Sequence, residues 1–139
     1  MIDITVTRDI ATCRRLRRTV FIEEQGVSEA DEVDDKDDAA LHLLATEQGR
    51  AVGTARIIVS GDTGKIGRVC VLADQRGKGI GALLIRQAIA VLRQNPAIKT
   101  AKLGAQTHAL TFYENLGFRA YGPLFDDAGI EHQNMALPL

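Results

Sequence analysis

The chain has few of the residues that build disulfide scaffolds and metal centres. Its 139 residues include two cysteines and three histidines, and Cys13 and Cys70 lie too far apart in sequence to form a CxxC pair. Small secreted scaffolds and structural zinc sites both require denser sets of these residues. We therefore predict no metal site and a reducing, cytoplasmic location.

The chain also lacks an excess of either charge and any long apolar run. Its net charge is −1, and 45% of its residues are hydrophobic, as in ordinary globular proteins. Nucleic-acid-binding proteins typically carry a basic excess, and a membrane-spanning helix requires about 20 consecutive apolar residues. We expect neither nucleic acid nor a membrane as a partner, and the length fits a single domain, residues 1–139.

Hydrophobic periodicity predicts a mixed α+β domain around one sheet. Helical spacing covers residues 10–21, 83–92 and 109–116, and strand-like runs cover residues 2–6, 41–46, 51–59, 66–72, 101–105, 118–121 and 132–137. The last two strands are expected to flank a loop rich in glycine and aspartate. His42 alternates with Leu41 and Leu43, so we expect it on the polar face of its strand.

A glycine-rich segment between a predicted strand and a predicted helix indicates the chemistry. Residues 75–82 read Gln-Arg-Gly-Lys-Gly-Ile-Gly-Ala. Such a turn presents backbone N–H groups at the positive end of a helix, and glycines let the backbone approach an anion closely. Arg76 and Lys78 add two cations within the same turn. The segment therefore predicts a seat for a phosphorylated cofactor.

Two nucleotide classes fit this segment poorly. A P-loop requires serine or threonine after its lysine, whereas Gly79 follows Lys78. A dinucleotide fingerprint is formally matched by Gly77, Gly79 and Ala82. That fingerprint also needs an acid about 20 residues further on, and no acid occurs between Asp74 and Glu114.

Coenzyme A is the third class, and two segments resemble the GNAT family of N-acetyltransferases. Residues 76–81 resemble that family's pyrophosphate loop, and residues 109–118, Ala-Leu-Thr-Phe-Tyr-Glu-Asn-Leu-Gly-Phe, resemble its tyrosine helix. Residues 20–25 and 128–132 are similar to the ElaA-like branch of the family. The resemblance implies an acyl-CoA N-acyltransferase fold, an α+β arrangement with a mixed, mostly antiparallel central sheet flanked by helices.

The resemblance further implies direct transfer of an acetyl group from acetyl-CoA to a primary amine, without a covalent enzyme intermediate or a metal. It assigns cofactor binding to the end of a strand, the glycine loop and two later side chains, namely Val69, Cys70, Val71, Arg76, Gly77, Lys78, Gly79, Ile80, Gly81, Ala82, Gln106 and Phe112. Many members carry asparagine where this chain has Gln106. For Phe112, a packing role on the helix is the favoured alternative.

Tyr113 is the candidate general acid, which would protonate the departing thiolate. A phenol has a pKa about 1.5 units above that of a thiol, so the transfer is uphill by about 2 kcal/mol, which a positioned acid can overcome. Glu24, at the end of the first predicted helix, is the first candidate for the base that deprotonates the amine. His132, His108 and a water chain are the alternatives.

Residues 23–38 carry nine acids and one lysine. Residues 29–38 either draw a cationic amine toward the acyl group or form a solvated loop, and the solvated loop is favoured for most of these acids. We expect the acceptor to be the amine of a small molecule. A protein N-terminus or lysine as acceptor, and a non-catalytic acyl-CoA-binding module, are the alternatives. An exposed final strand would also permit a homodimer.

Overall fold

A computed structural model describes residues 1–139, and its backbone is organised around one seven-stranded sheet. The strands are β1 (Ile2–Thr7), β2 (Leu41–Glu47), β3 (Arg50–Ser60), β4 (Thr63–Val71), β5 (Thr100–Gln106), β6 (Arg119–Asp127) and β7 (Ile130–Pro138). Their spatial order is β1-β2-β3-β4-β5-β7-β6. Only β4 and β5 pair in parallel, and this confirms the predicted mixed, mostly antiparallel sheet.

Helices cover both faces of the sheet. They are α1 (Ile10–Arg17), α2 (Glu29–Glu32), α3 (Ile80–Arg93) and α4 (Leu110–Glu114), and α1 continues as a π-helix over Arg18–Glu24. The Asp9 side chain accepts a hydrogen bond from the Thr12 N–H at 3.2 Å, so it caps α1 as its position predicts. No helix combines the length and the apolar character needed to cross a membrane.

The main core lies between α3 and the sheet. Leu84, Ile85, Ala88 and Leu92 form the buried stripe of α3, and each is at most 1% exposed. Burying each large aliphatic side chain stabilises the fold by roughly 1.5–3 kcal/mol. A Cβ on Gly64 of β4 would collide with the Leu92 side chain, so this glycine allows α3 to lie close against the sheet.

The parallel pair β4–β5 holds together over only a short stretch. Thr63, Gly64 and Lys65 pair with residues 100–102, and no pairing follows beyond them. The remainder of β4 pairs with β3 alone, while the remainder of β5 pairs with β7 alone. The two strands therefore diverge toward their carboxyl ends and open a cleft in the middle of the sheet.

The prediction of a loop between the last two strands is wrong. The structure continues β6 to Asp127 and starts β7 at Ile130, so only Ala128 and Gly129 form the turn. Both have positive φ angles, +54° and +81°, as a two-residue hairpin turn requires. Pro123 is tolerated within β6 because an edge strand leaves one side unpaired. The expected exposed final strand is wrong, because β7 lies between β5 and β6 and the edge strand is β6. The homodimer itself stays a prediction.

The expectation of a solvated acidic loop is wrong for Glu32 and Asp37. These two side chains are 4% and 2% exposed, whereas Glu29, Asp31, Asp35 and Asp38 are exposed. Arg17, itself 1% exposed, donates from Nε to Glu32 at 2.8 Å and from both Nη atoms to Asp37 at 2.9 and 2.7 Å. Arg56 of β3 pairs with Asp37 at 3.1 Å and with Asp34 at 2.8 Å. The acidic segment is thus bound to α1 and to the sheet.

His42 is buried, so its predicted place on a polar face is also wrong. It is 2% exposed, and its Nε2 donates to the Asp37 carbonyl oxygen at 2.8 Å. Leu43 faces the α3 core, while Leu44 packs on the side of α1. Because helices cover both faces of β2, its alternating residues do not form one solvent-exposed face and one buried face.

Replacing Asp37 with alanine is expected to destabilise the protein by about 3–5 kcal/mol, because Arg17 and Arg56 lose a buried partner. Although burial alone would raise it, the pKa of Asp37 lies well below its usual range because Arg17, Arg14 and Arg56 donate to the carboxylate. This stabilisation is therefore complete above the unfolded pKa of about 3.9 and is lost progressively as the pH falls from there through the lower pKa of the folded protein.

Urea denaturation at pH 7 and pH 3 measures both effects. Asp38→Ala, an exposed neighbour, is the matched control and should change the free energy of unfolding by no more than about 0.5 kcal/mol. Equal effects of the two substitutions at pH 7 would contradict the structural role of the buried network.

Candidate active site

The diverging strands β4 and β5 enclose a cleft of about 1100 Å³. One wall is the end of β4 and the start of α3, and the opposite wall is one face of β5, β7 and β6. The π-helix and the acidic segment close one side, and α4 closes another. Every predicted site residue except Glu24 and Lys78 lies on the lining of this cleft.

The backbone of Val69, Cys70 and Val71 runs along the cleft. This part of β4 has a strand neighbour only on the β3 side, so its other edge faces the opening. The Val71 carbonyl accepts a hydrogen bond from Arg76 Nε at 3.0 Å. Burial raises the pKa of the Cys70 thiol to about 12, which keeps it protonated and unreactive, as expected for a core cysteine.

The glycine loop presents a run of free backbone donors. Gly77 and Gly79 adopt φ angles of +81° and +80°, a region that strongly favours glycine. The Arg76 N–H donates to the Ala73 carbonyl at 3.4 Å, but no N–H group from Gly77 to Ala82 donates a hydrogen bond within the chain. These groups converge at the N-terminal end of α3, where the helix dipole favours an anion. The Lys78 ammonium donates to Gln75 at 2.9 Å.

Arg76 and Glu24 form a two-point ion pair at the mouth of the cleft. Arg76 Nη2 donates to Glu24 Oε1 at 2.8 Å, and Nη1 donates to the other carboxylate oxygen. The hydrogen bonds from Arg76 lower the pKa of Glu24. A carboxylate held this way has less affinity for a proton, which weakens Glu24 as a base but leaves its assignment a prediction.

Tyr113 points from α4 into the cleft. Its ring packs edge-on against Phe112 at 5.0 Å and against Phe118 at 6.1 Å between ring centroids. Burial raises the pKa of Tyr113 to about 12, so its hydroxyl is protonated at neutral pH. The gap to an ordinary thiol is about 3.5 units, or about 5 kcal/mol, rather than the 2 kcal/mol expected from an exposed phenol. The same apolar surroundings would also raise the pKa of the leaving thiol, and this reduces the difference in pKa between the phenol and the thiol.

Phe112 and Gln106 also lie at the cleft. Phe112 is 39% exposed, and its Cζ lies 3.5 Å from where a Cβ on Gly81 would stand, so it covers the start of α3 rather than the core. Gln106 donates through Nε2 to Gln25 at 3.1 Å and accepts from His108 Nε2 at 2.6 Å. The amide therefore joins the π-helix to the turn that precedes α4.

On the wall formed by β5, β7 and β6, the sequence indicated only Gln106 and His132. Gly104, His132 and Phe125 stand on its cleft-facing side, with Asn134 beside them. A Cβ on Gly104 would lie 3.4 Å from the Phe125 ring, so the missing side chain leaves space for that ring. Alternate residues of a strand share one face, so Ile130, His132 and Asn134 lie on the same side of β7. That this side faces the cleft became evident only from the pairing of β7 with β5.

This geometry agrees with comparisons to known proteins. A family model described as an acetyltransferase (GNAT) domain matches residues 12–139. The chain belongs to the GNAT family. GNAT proteins use acetyl-CoA as acetyl donor, and the chain is an N-acetyltransferase by this membership.

Relatives of the chain include a Bacillus subtilis protein provisionally named an acetyltransferase. It is 39% identical over 132 residues, which cover 93% of this chain and 89% of the relative. ElaA of Escherichia coli is 32% identical over 126 residues, covering 88% of this chain and 82% of ElaA. The crystal structure of Escherichia coli ElaA superimposes with a TM-score of 0.87 over 99% of both chains at 27% identity. This confirms the GNAT fold and the resemblance to the ElaA-like branch.

Gly79→Ala is expected to weaken acetyl-CoA binding at least about 10-fold, because a loop that relaxes from a φ of +80° turns its N–H groups away from the phosphate seat. Gly49→Ala is the matched control. Gly49 has nearly the same φ, +79°, in the turn between β2 and β3, and open space surrounds its missing Cβ.

Both substitutions should reduce the thermal stability by a similar amount, since the backbone penalty is the same. Isothermal titration calorimetry with acetyl-CoA separates them. If Gly49→Ala weakened binding as much as Gly79→Ala, the loss would reflect general destabilisation and not the loop.

Proposed function

We propose that the protein transfers the acetyl group of acetyl-CoA to a primary amine of a small molecule. The observation that carries the proposal is one cleft that combines free amides at the start of α3 with the Tyr113 hydroxyl. The first feature suits a pyrophosphate, and the second suits a leaving group that must gain a proton.

The chain's residues fit acetyl-CoA along the whole cleft. The N–H groups from Gly77 to Ala82 would bind the pyrophosphate, and the open edge of β4 from Val69 to Val71 would pair with the amides of the pantetheine arm. Phe112 and Gln106 would flank that arm. When bound, acetyl-CoA supplies an activated acetyl group as a thioester.

Tyr113 would deliver a proton to the sulfur as the carbon–sulfur bond breaks. Its hydroxyl is protonated at neutral pH and makes no hydrogen bond within the chain, so the proton is free to be donated. The edge-on packing against Phe112 and Phe118 fixes the ring, which limits the entropy lost when the transfer geometry is reached.

The walls of the acceptor side support a small cationic amine. Asp31 and Asp127 line the cleft, and neither carboxylate has an ion-pair partner. Arg68, at a bulge in β4 with a φ of +50°, donates to the carbonyl oxygens of Asp31 and Glu32 at 3.3 and 3.0 Å. The acidic segment is thereby held against β4 as a wall, and this favours a compact acceptor over an extended peptide.

Calorimetric titration with acetyl-CoA tests the cofactor, with NADH and ATP as controls. We expect stoichiometric binding of acetyl-CoA alone. Assays of CoA release with a panel of small amines and a panel of peptides then test the acceptor class. Transfer to peptides only would contradict the small-molecule acceptor, and binding without any turnover would favour an acyl-CoA-binding module.

Tyr113→Phe is expected to lower kcat about 100-fold while leaving acetyl-CoA affinity unchanged, because only the proton donor is removed. Steady-state kinetics and calorimetry measure the two quantities. Tyr121→Phe on β6 is the matched control, since it removes an exposed phenol hydroxyl outside the cleft. Unchanged turnover in Tyr113→Phe would show that another group protonates the thiolate.

A further inference from the structure

We propose that His132 is the catalytic base of this reaction and that its Nε2 atom takes the proton from the acceptor ammonium. The proposal deepens the proposed function, on which it rests, because it names the base of that acetyl transfer. Four observations support it: the tautomer of the ring, the solvent accessibility of Nε2, the position of His132 in the sheet, and the contacts of the other side chains that could act as the base.

A hydrogen bond fixes the tautomer of His132. Nδ1 lies 2.7 Å from the carbonyl oxygen of Ile130, which can only accept. Nδ1 must therefore carry the ring hydrogen, and Nε2 of the neutral ring keeps its lone pair. This is the arrangement that a base requires, since the ring is oriented by one nitrogen while the other is free.

Nε2 keeps some contact with solvent although the residue is buried. His132 is only 8% exposed, and Nε2 makes no hydrogen bond within the chain. It is nevertheless absent from the buried polar atoms that lack a partner, so it remains accessible to solvent. Because His132 lines the cleft, that access comes from the space where an acceptor would bind.

The sheet holds His132 close to the end of β5, from which the Tyr113 helix departs. His132 pairs with Gln106, the last residue of β5, and Phe125 of β6 pairs with it on the other side. The Phe125 ring stacks on the imidazole with centroids 5.8 Å apart and an angle of 27° between planes. One strand register thus sets the base and the tyrosine on neighbouring walls of the same cleft.

The competing bases are each less suited. Glu24 is engaged by both Nη atoms of Arg76. His42 lies outside the cleft lining, and its ring is enclosed beside Asp37. His108 is exposed on the turn before α4, where water competes for its free nitrogen.

A proton transfer accompanies each bond that forms or breaks in this reaction. The ammonium proton moves to His132 Nε2, and the freed nitrogen lone pair forms a bond to the thioester carbonyl carbon. The carbon–sulfur bond breaks, and the sulfur takes the hydroxyl proton of Tyr113. The nitrogen, which still carries two hydrogens, then gives one of them to the tyrosinate, directly or through water. The imidazolium releases its proton to solvent, so both side chains return to their initial states and the reaction releases one proton overall.

His132→Asn tests the proposal, because the asparagine amide nitrogen takes the position of Nδ1 and can still donate to the Ile130 carbonyl, but the side chain cannot accept a proton at neutral pH. We expect kcat to fall about 100-fold, with the KM for acetyl-CoA and the thermal stability nearly unchanged. A β-fluorinated analogue of the acceptor, whose amine is largely unprotonated at the assay pH, should reduce the deficit to less than about 10-fold. A purely structural role would leave the deficit the same for both acceptors.

Glu131→Gln is the matched control, since it lies next to His132 on β7 but outside the main cleft. It should keep wild-type turnover. Glu24→Gln and His108→Gln are measured in parallel. A loss confined to either of them, with His132→Asn within about threefold of wild type, would overturn the proposal.

The assay uses whichever acceptor is acetylated, a small amine or a peptide. A wrong prediction of the acceptor class is therefore distinguished from a wrong assignment of the catalytic base. Nitrogen-15 NMR of the histidine rings adds a readout that needs no acceptor. A neutral His132 ring protonated at Nδ1 supports the proposal. A ring protonated at Nε2 would have no lone pair facing the cleft and would overturn it.

Discussion

The brief parallel pairing of β4 with β5 is the constraint on which the rest of the structure depends. Hydrogen bonds join the two strands only near their start, and the sheet then splits. An intact sheet would satisfy its backbone groups internally and leave no space between the strands. The split instead exposes one backbone edge, opens the cleft and places the start of α3 and the end of β5 on opposite walls.

The buried ion pairs fix the third side of this cleft. Arg17 and Arg56 hold Asp37 and Glu32 in a nearly dry cluster, so the acidic segment cannot swing away without exposing unpaired charges. Removing charges from water is costly, and such a cluster contributes less to net stability than to a single arrangement of its parts. Its consequence here is geometric, because the segment becomes a wall on which Asp31 lines the cleft.

Proton transfer and cofactor binding make opposite demands on the cleft, and the fold separates them. The proposed phosphate seat would use the backbone amides of the glycine loop, which need close approach and a helix end. The proposed reacting groups are side chains held by packing, with Tyr113 between two phenylalanines and His132 against Phe125. The backbone amides belong to the loop between β4 and α3, whereas the two side chains belong to α4 and β7. Each set is therefore positioned by different neighbouring residues.

Much of this could be predicted from residues that are close in sequence. The order of elements, the glycine turn and the tyrosine helix all follow from local periodicity and local motifs, because backbone conformation depends mainly on nearby residues. The errors concerned residues whose surroundings come from elsewhere in the chain. His42 and Asp37 were placed in solvent because nothing local shows that α1 and the acidic segment cover that face of the sheet.

The sequence by itself determined the family and the α+β fold and predicted the position of a phosphate seat, since these depend on motifs a few residues long. Only the tertiary structure decided which side chains meet across the cleft. The pairing of Arg76 with Glu24 joins residues 52 positions apart, and the position of His132 beside the end of β5 depends on the register of β7 against β5. Long-range pairings of this kind are set by packing over the whole domain, and no local pattern encodes them.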